Sequence, residues 1–156
     1  MITFRPLKDS DAGLLLIWMA SPHVQPWWTE AGSTPEDEVE EALNLIGSDD
    51  GAAFIVELNK RPIGYIQSCV CGPDQPKGTL GVDLFIGDVS LTGEGLGPQI
   101  LRQFGDDLLA KGAIRLVIDP NANNDRAIKA YKAAGFEILE TRDGVTLMSR
   151  NPKLSA

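Results

Sequence analysis

The chain has 156 residues, 43% hydrophobic and 23% charged, enough for a sizeable core in a single domain spanning 1–156. A net charge of −8 excludes the basic surface on which nonspecific nucleic-acid binding depends, so no nucleic-acid partner is expected. No apolar run approaches a membrane span, and Met1-Ile2-Thr3-Phe4-Arg5 lacks a signal-peptide pattern, which predicts a cytoplasmic protein with no membrane partner.

In chain order, Ile2 to Leu7 reads as a first strand. Ser10 is placed to cap a helix running to about Ala20, with Leu14, Leu15, Ile17 and Trp18 on its apolar side. Residues 21–33 read as a loop carrying His23, Trp27 and Trp28. Thr34-Pro35-Glu36-Asp37 is a helix start, with a Thr cap, Pro in the first turn and acids after it. That helix is predicted to reach about Ile46, with Val39, Leu43 and Ile46 on one face. Ala52 to Leu58 and Ile63 to Val70 read as adjacent strands joined at Asn59-Lys60-Arg61.

Cys69 and Cys71 alternate along a strand-like segment and so share a face; with no second cysteine pair or histidine cluster they read as buried reduced thiols rather than a metal site. A Pro/Gly loop from Cys71 to Lys77 leads to a strand, Thr79 to Ile86. Then come Leu91-Thr92-Gly93-Glu94-Gly95-Leu96-Gly97-Pro98 and a helix from Gln99 to Leu109, stopped at Gly112. Arg115 to Asp119 is a short strand. Asn124 caps a helix through Ala134 that ends at Gly135. Glu137 to Arg142 and Val145 to Ser149 form a hairpin about Asp143-Gly144, and the tail from Asn151 reads as frayed. The order specifies an α/β fold with a mixed sheet.

Two segments carry chemistry. Three alternate glycines after a strand let the backbone approach a ligand, and the helix they open presents unpaired N–H groups at its positive end, an anion site suited to a pyrophosphate. The Lys-Ser/Thr of a P-loop is absent, and the spacing of a dinucleotide fingerprint is not met. The second segment runs from Asp119-Pro120 through Asn124, Asp125, Arg126 and Ala127 to Tyr131, Gly135 and Phe136. Ala127, Tyr131 and Ala134 share a helix face, where the tyrosine is either core or a proton donor.

Together these segments resemble the GNAT acetyltransferase superfamily: the glycine loop matches its acetyl-CoA pyrophosphate loop, and Asn124, Ala127, Tyr131, Gly135 and Phe136 match its following motif. Thr92 stands where the family often has Gln or Arg, three residues before the first glycine of its Gly-x-Gly. Four further pieces, His23–Trp28, Pro62–Ser68, Gly81–Gly87 and Asp119-Pro120, are similar to the aminoglycoside 6′-N-acetyltransferase and siderophore-acyltransferase branch. The resemblance implies a GNAT fold, with a central mixed, mostly antiparallel sheet flanked by helices. It implies acetyl-CoA as cosubstrate, no metal, and a small-molecule amine as acceptor, in a monomer or homodimer. The implied cofactor-binding residues are Phe85, Ile86, Gly93, Glu94, Gly95, Leu96, Gly97, Pro98, Asn124, Arg126, Ala127 and Tyr131. Trp27, Trp28, Asp83 and Asp119 are the implied acceptor side, with Asp83, Asp119 and Tyr131 as the catalytic set.

The chemistry agrees. An ammonium must lose a proton to attack a thioester, which calls for a carboxylate or a water relay at Asp83 or Asp119; the strand Gly81 to Gly87 offers backbone donors to the oxyanion, and Tyr131 can protonate the departing thiolate. Each residue has a plain alternative. Asp83 and Asp119 read equally as a surface acid and a turn former; one tryptophan is expected in the core and the other over the acceptor. His23 reads as structural, and Arg126, Lys129 and Lys132 as a solvated face unless Arg126 reaches a phosphate. The short connection Cys71–Gly78, with one acid and Lys77, argues against tight polycation binding, and the acidic run Glu36 to Glu41 reads as the exposed side of a helix. Acetylation of another metabolite amine, such as a siderophore precursor or polyamine, and a non-catalytic CoA-binding sensor are the rival readings.

Overall fold

The computed structural model describes residues 1–152, so the tail expected to fray from Asn151 lies mostly outside the described residues. Seven strands among them hydrogen-bond in the order β1-β2-β3-β4-β5-β7-β6. They are β1 (Ile2–Pro6), β2 (Gly51–Leu58), β3 (Arg61–Val70), β4 (Thr79–Ile86), β5 (Arg115–Ile118), β6 (Glu137–Arg142) and β7 (Val145–Arg150). The helices are α1 (Ala12–Met19), α2 (Gln25–Trp28), α3 (Pro35–Leu43), α4 (Leu96–Ala110) and α5 (Asp125–Ala133). The β4–β5 pair is parallel, while β1–β2, β5–β7 and β6–β7 are antiparallel, as expected of a mixed, mostly antiparallel sheet. Contacts cluster into two compact units: Met1–Ser68 with Asp83–Glu94, and Cys69–Val82 with the chain from Gly95.

The first unit is built around Leu7, Leu15, Trp18, Met19, Val39, Ala42, Ala53, Ile55 and Tyr65. Its first helix starts differently from expectation. Ser10 does not cap it; a 3-10 turn, Asp9–Asp11, comes first, and the Asp11 carboxylate accepts from the Lys8 N–H at 2.9 Å. Asp11 also takes both Arg5 guanidinium nitrogens at 3.0 Å, and a carboxylate held by two charge-assisted bonds outcompetes a hydroxyl for this corner. The expected loop 21–33 contains α2, since Pro26 fits a first helical turn. Thr34 caps α3 as predicted, its hydroxyl accepting from Asp37 N–H at 3.1 Å while Asp37 reaches back to Thr34 N–H. That helix stops at Leu43, so Ile46 is exposed rather than on the buried face. Glu38, read as part of an exposed acidic side, is buried instead and accepts from Glu30 N–H at 3.4 Å. Asn59 and Lys60 both take positive φ, 51° and 70°, making a two-residue turn that returns Arg61 to β3.

In the second unit α4 buries Ile100, Leu101 and Phe104, and β5 buries Leu116, Val117 and Ile118. Gly105 marks their closest approach: a Cβ there would stand 3.1 Å from Leu116 and 2.8 Å from the Arg150 guanidinium. Parallel pairing of β4 with β5 registers Thr79, Leu80 and Gly81 against Arg115, Leu116 and Val117. β3 ends at Val70, so Cys71 stands just beyond the strand; both cysteines are reduced and half-buried rather than buried. Asn124 caps α5 through a bond from Ala127 N–H at 3.2 Å, and Gly135, at φ 98°, ends it. Asp143 and Gly144, at φ 52° and 79°, turn β6 into β7.

Candidate active site

In the first unit the residues around Asp83 form an aromatic cradle. Trp28, on α2, meets the Phe85 ring edge-on at 4.9 Å and the Tyr65 ring at 5.8 Å, and Tyr65 stacks on Phe85 at 5.6 Å. Trp18 also meets Phe85 edge-on, at 6.1 Å. The two adjacent tryptophans therefore differ, as expected: Trp28 packs into this cluster and Trp27 is 53% exposed. Phe85 itself is half-buried. Tyr65 donates its hydroxyl to Gln67 Oε1 at 2.7 Å, and Gln67 Nε2 donates to Asp83 Oδ2 at 3.3 Å. Asp83 is thus a half-buried carboxylate tied into a network rather than an outward surface acid.

The end of β4 is held with equal care. His23 Nε2 bonds the Ile86 carbonyl at 3.0 Å, while the N–H of the same peptide, at Gly87, donates to Ile63 O at 2.8 Å. This bond gives His23 a structural contact at the end of β4. A Cβ on Gly87 would collide with the Trp18 ring, and one on Gly64 would stand 2.5 Å from the Phe85 carbonyl oxygen. Beyond β4, Asp88 caps the 3-10 turn Val89–Leu91 and pairs with Arg61 at 2.7 Å. The Ser90 hydroxyl hydrogen bond, with smaller help from Arg61 and His23, holds the Asp88 carboxyl below the usual carboxylate range. Thr92, standing where relatives of the resembled family carry a longer polar side chain, uses its hydroxyl on Val89 O at 2.8 Å.

Gly93 and Gly95 adopt positive φ, 82° and 76°, which a residue with a side chain takes only under strain. The helix begins earlier than expected: α4 starts at Leu96 rather than Gln99, so Gly97 lies in its first turn. The reason is local. Gly95 in the left-handed conformation reverses the chain as its N-cap, and Pro98 needs no N–H at the third helical position. No side chain caps this end, which leaves the N–H groups of Gly95, Leu96 and Gly97 without intrahelical acceptors. Gly95 is exposed and Gly97 half-buried, and nothing stands within 4 Å of where a Cβ would project from either. A groove of about 490 Å³ leads from Gly95 and Pro98 along Gln99, Arg102 and Asp106, with Ala133 of α5 on its rim. A helix N-terminus of this kind suits an anion.

Asp119 follows β5 and is exposed, with Pro120 buried behind it. The loop is tied down by its asparagines and by the β6–β7 turn: Asn121 Oδ1 accepts from Asn123 N–H at 2.9 Å, and Ala122 N–H donates to Gly144 O at 2.8 Å. On α5, Ala127 and Tyr131 are half-buried, whereas Arg126, Lys129 and Lys132 are exposed. Among the described residues no group of three His, Cys, Asp or Glu side chains gathers as a metal site, and no helix is long and apolar enough to cross a membrane.

Sequence reasoning left Gly64, Tyr65, Gln67 and Gly87 without roles. The signal for two of them was present: Tyr65 and Gln67 alternate along a strand and so face the same way. Their partner on β4 was not visible, because cross-strand register is a tertiary fact.

Comparison with known proteins agrees with this geometry. Residues 8–143 match the acetyltransferase (GNAT) domain family. The aminoglycoside N(6′)-acetyltransferase type 1 of Klebsiella pneumoniae is 30% identical over 158 aligned residues, covering 92% of this chain and 79% of that protein. Among solved structures, AAC(6′)-Ib in complex with paromomycin and acetyl-CoA superposes with a TM-score of 0.84 at 30% identity, covering 96% of this chain and 93% of that one. The aminoglycoside N(6′)-acetyltransferase of Legionella pneumophila follows at 0.79 and 26%, covering 96% and 91%. With a glycine-opened helix end that no side chain caps and a match running across most of the sequence, the chain belongs to the GNAT acetyltransferase family and is an acetyl-CoA-dependent N-acetyltransferase.

Proposed function

We propose that the acceptor is an aminoglycoside, acetylated on its 6′-amine by direct attack on the thioester. The observation that carries this is the 30% identity over 92% of the chain to an aminoglycoside 6′-acetyltransferase, together with similar structures holding paromomycin, ribostamycin and kanamycin. Residues 1–156 are read as one acetyltransferase domain, supported by a family match that runs through both compact units. The enzyme is placed in the cytoplasm, where its cosubstrate is made.

Each residue then has a task. The amides of Gly95, Leu96 and Gly97 bind the pyrophosphate, with Gly93, Glu94 and Pro98 shaping the turn and Asn124, Arg126 and Ala127 supporting the cofactor from α5. Asp83 holds the acceptor ammonium and Asp119 takes its proton, directly or through water, before attack. The main chain of β4 at Phe85 and Ile86 borders the thioester, and donors on this strand stabilise the oxyanion. Tyr131 protonates the leaving thiolate. Trp27, exposed beside the cradle of Trp28, covers the sugar.

A second reading is favoured by one feature. The connection from Cys71 to Gly78 carries a single acid, Asp74, and an exposed Lys77, and Gln75 there is turned to Arg115 at 3.4 Å. This suits an amine of lower charge, such as a siderophore precursor or a polyamine. The deciding measurement is thiol release from acetyl-CoA against a panel of aminoglycosides and other primary amines. Efficient turnover of kanamycin supports the first reading, and turnover of other amines alone replaces it with the second. Coenzyme A binding without turnover on any amine would leave only a sensor.

A further inference from the structure

We propose that Gln67 is a positioning residue which, aligned by the Tyr65 hydroxyl, holds the Asp83 carboxylate in place for the acceptor's ammonium. The inference rests on the reading of Asp83 as an acceptor-side residue. Its geometry is a directed chain of two hydrogen bonds, Tyr65 Oη to Gln67 Oε1 at 2.7 Å and Gln67 Nε2 to Asp83 Oδ2 at 3.3 Å.

The direction of that chain is set by charge. An ionised carboxylate only accepts, so it selects the amide orientation that turns an N–H toward it. The opposite orientation would set the amide oxygen against the carboxylate, two acceptors in contact. With the N–H committed to Asp83, the amide oxygen faces Tyr65, and the phenol has a single proton to give it. The phenol cannot swing away: Tyr65 is fully buried, its ring stacked on Phe85 and edged by Trp28. The aromatic cluster thus aims a hydroxyl, the hydroxyl fixes an amide, and the amide fixes an acid. An N–H donated to one carboxylate oxygen restrains the rotation of that side chain and so helps fix the geometry on which recognition of a cation depends.

The role is one of alignment, so it acts on acceptor affinity through Asp83 and not on the cofactor. The test is a double-mutant cycle on the purified enzyme, using acetyl-CoA with kanamycin or with whichever amine the acceptor panel returns. Gln67→Leu should raise the acceptor KM about tenfold, the scale of a lost hydrogen bond to a charged group, while kcat and coenzyme A affinity stay within about twofold. Tyr65→Phe, which keeps the ring packing, should raise the same KM about threefold. In the Asp83→Asn background both changes should cost less than about twofold, because the group they position is gone. Equal costs with and without Asp83 overturn the proposal while leaving Asp83 its role, as does a fall in kcat at unchanged KM. An Asp83→Asn variant with wild-type acceptor KM removes the Asp83 reading itself, and this proposal with it. Should Gln67→Leu fail to fold, Tyr65→Phe carries the cycle alone.

Discussion

At the scale of single residues, two side chains make separable demands. Tyr131 is half-buried on α5, and a phenol that protonates a thiolate matters only when the bond to sulfur breaks. Tyr131→Phe should therefore lower kcat by about a hundredfold, the lower end for a lost general acid, with acetyl-CoA KM nearly unchanged; steady-state thiol-release kinetics check this. Asp11 serves stability instead. The Arg5 hydrogen bonds, assisted by the Lys8 N–H, hold its carboxyl below the usual range. A carboxyl with a lowered folded pKa contributes stability above its unfolded pKa, near 4, and loses it as pH falls through the lower folded value. Unfolding free energies from urea melts should thus be about 1–2 kcal/mol higher for the wild type than for Asp11→Asn at pH 6, and the gap should close as the pH is taken from about 4 downward. Residue chemistry of this kind was partly legible: Asp83 and Tyr131 stood out as a charge in an apolar strand and a phenol at helical spacing. Arg5 and Asp11 did not, because a pairing between a strand and the turn after it is invisible to periodicity.

At the scale of elements, local signals served best where the chain satisfies its own polar groups. The α3 start was readable because Thr34, Pro35 and Asp37 form a cap from four consecutive residues, and both hairpin turns because positive φ favours a short list of residue types. The α4 start was misplaced because glycine spacing alone does not tell a flexible loop residue from a helical one; Gly97 is helical, and only Gly93 and Gly95 need positive φ. Equally hidden were the glycines whose reason is a neighbour. Gly64 is one, its missing Cβ leaving room for the Phe85 carbonyl at 2.5 Å. Gly64→Ala must push β3 from β4 and should cost about 1–3 kcal/mol in a denaturant melt, with a rise in acceptor KM because Asp83 lies on the displaced strand. A variant as stable and active as the wild type would show that the strands yield without consequence.

For the whole molecule, the net charge of −8 creates a field that a polycation feels before contact. Raising salt from about 50 to 500 mM shortens the screening length severalfold, so the KM for kanamycin should rise while that for the anionic acetyl-CoA stays level or falls. A kanamycin KM indifferent to salt would favour the lower-charge acceptor. What the amino-acid order determined by itself is what depends on near neighbours along the chain: the succession of strands and of the longer helices, the Thr34 and Asn124 caps, the hairpin turns, and a glycine-opened helix start. These follow from backbone hydrogen bonds and φ preferences that act over a few residues. What only the tertiary structure decided is which distant groups meet, Gln67 with Asp83, His23 with the Ile86 carbonyl, and Trp18 with Gly87, because strand register and packing are settled by burial of the whole core rather than by any local run.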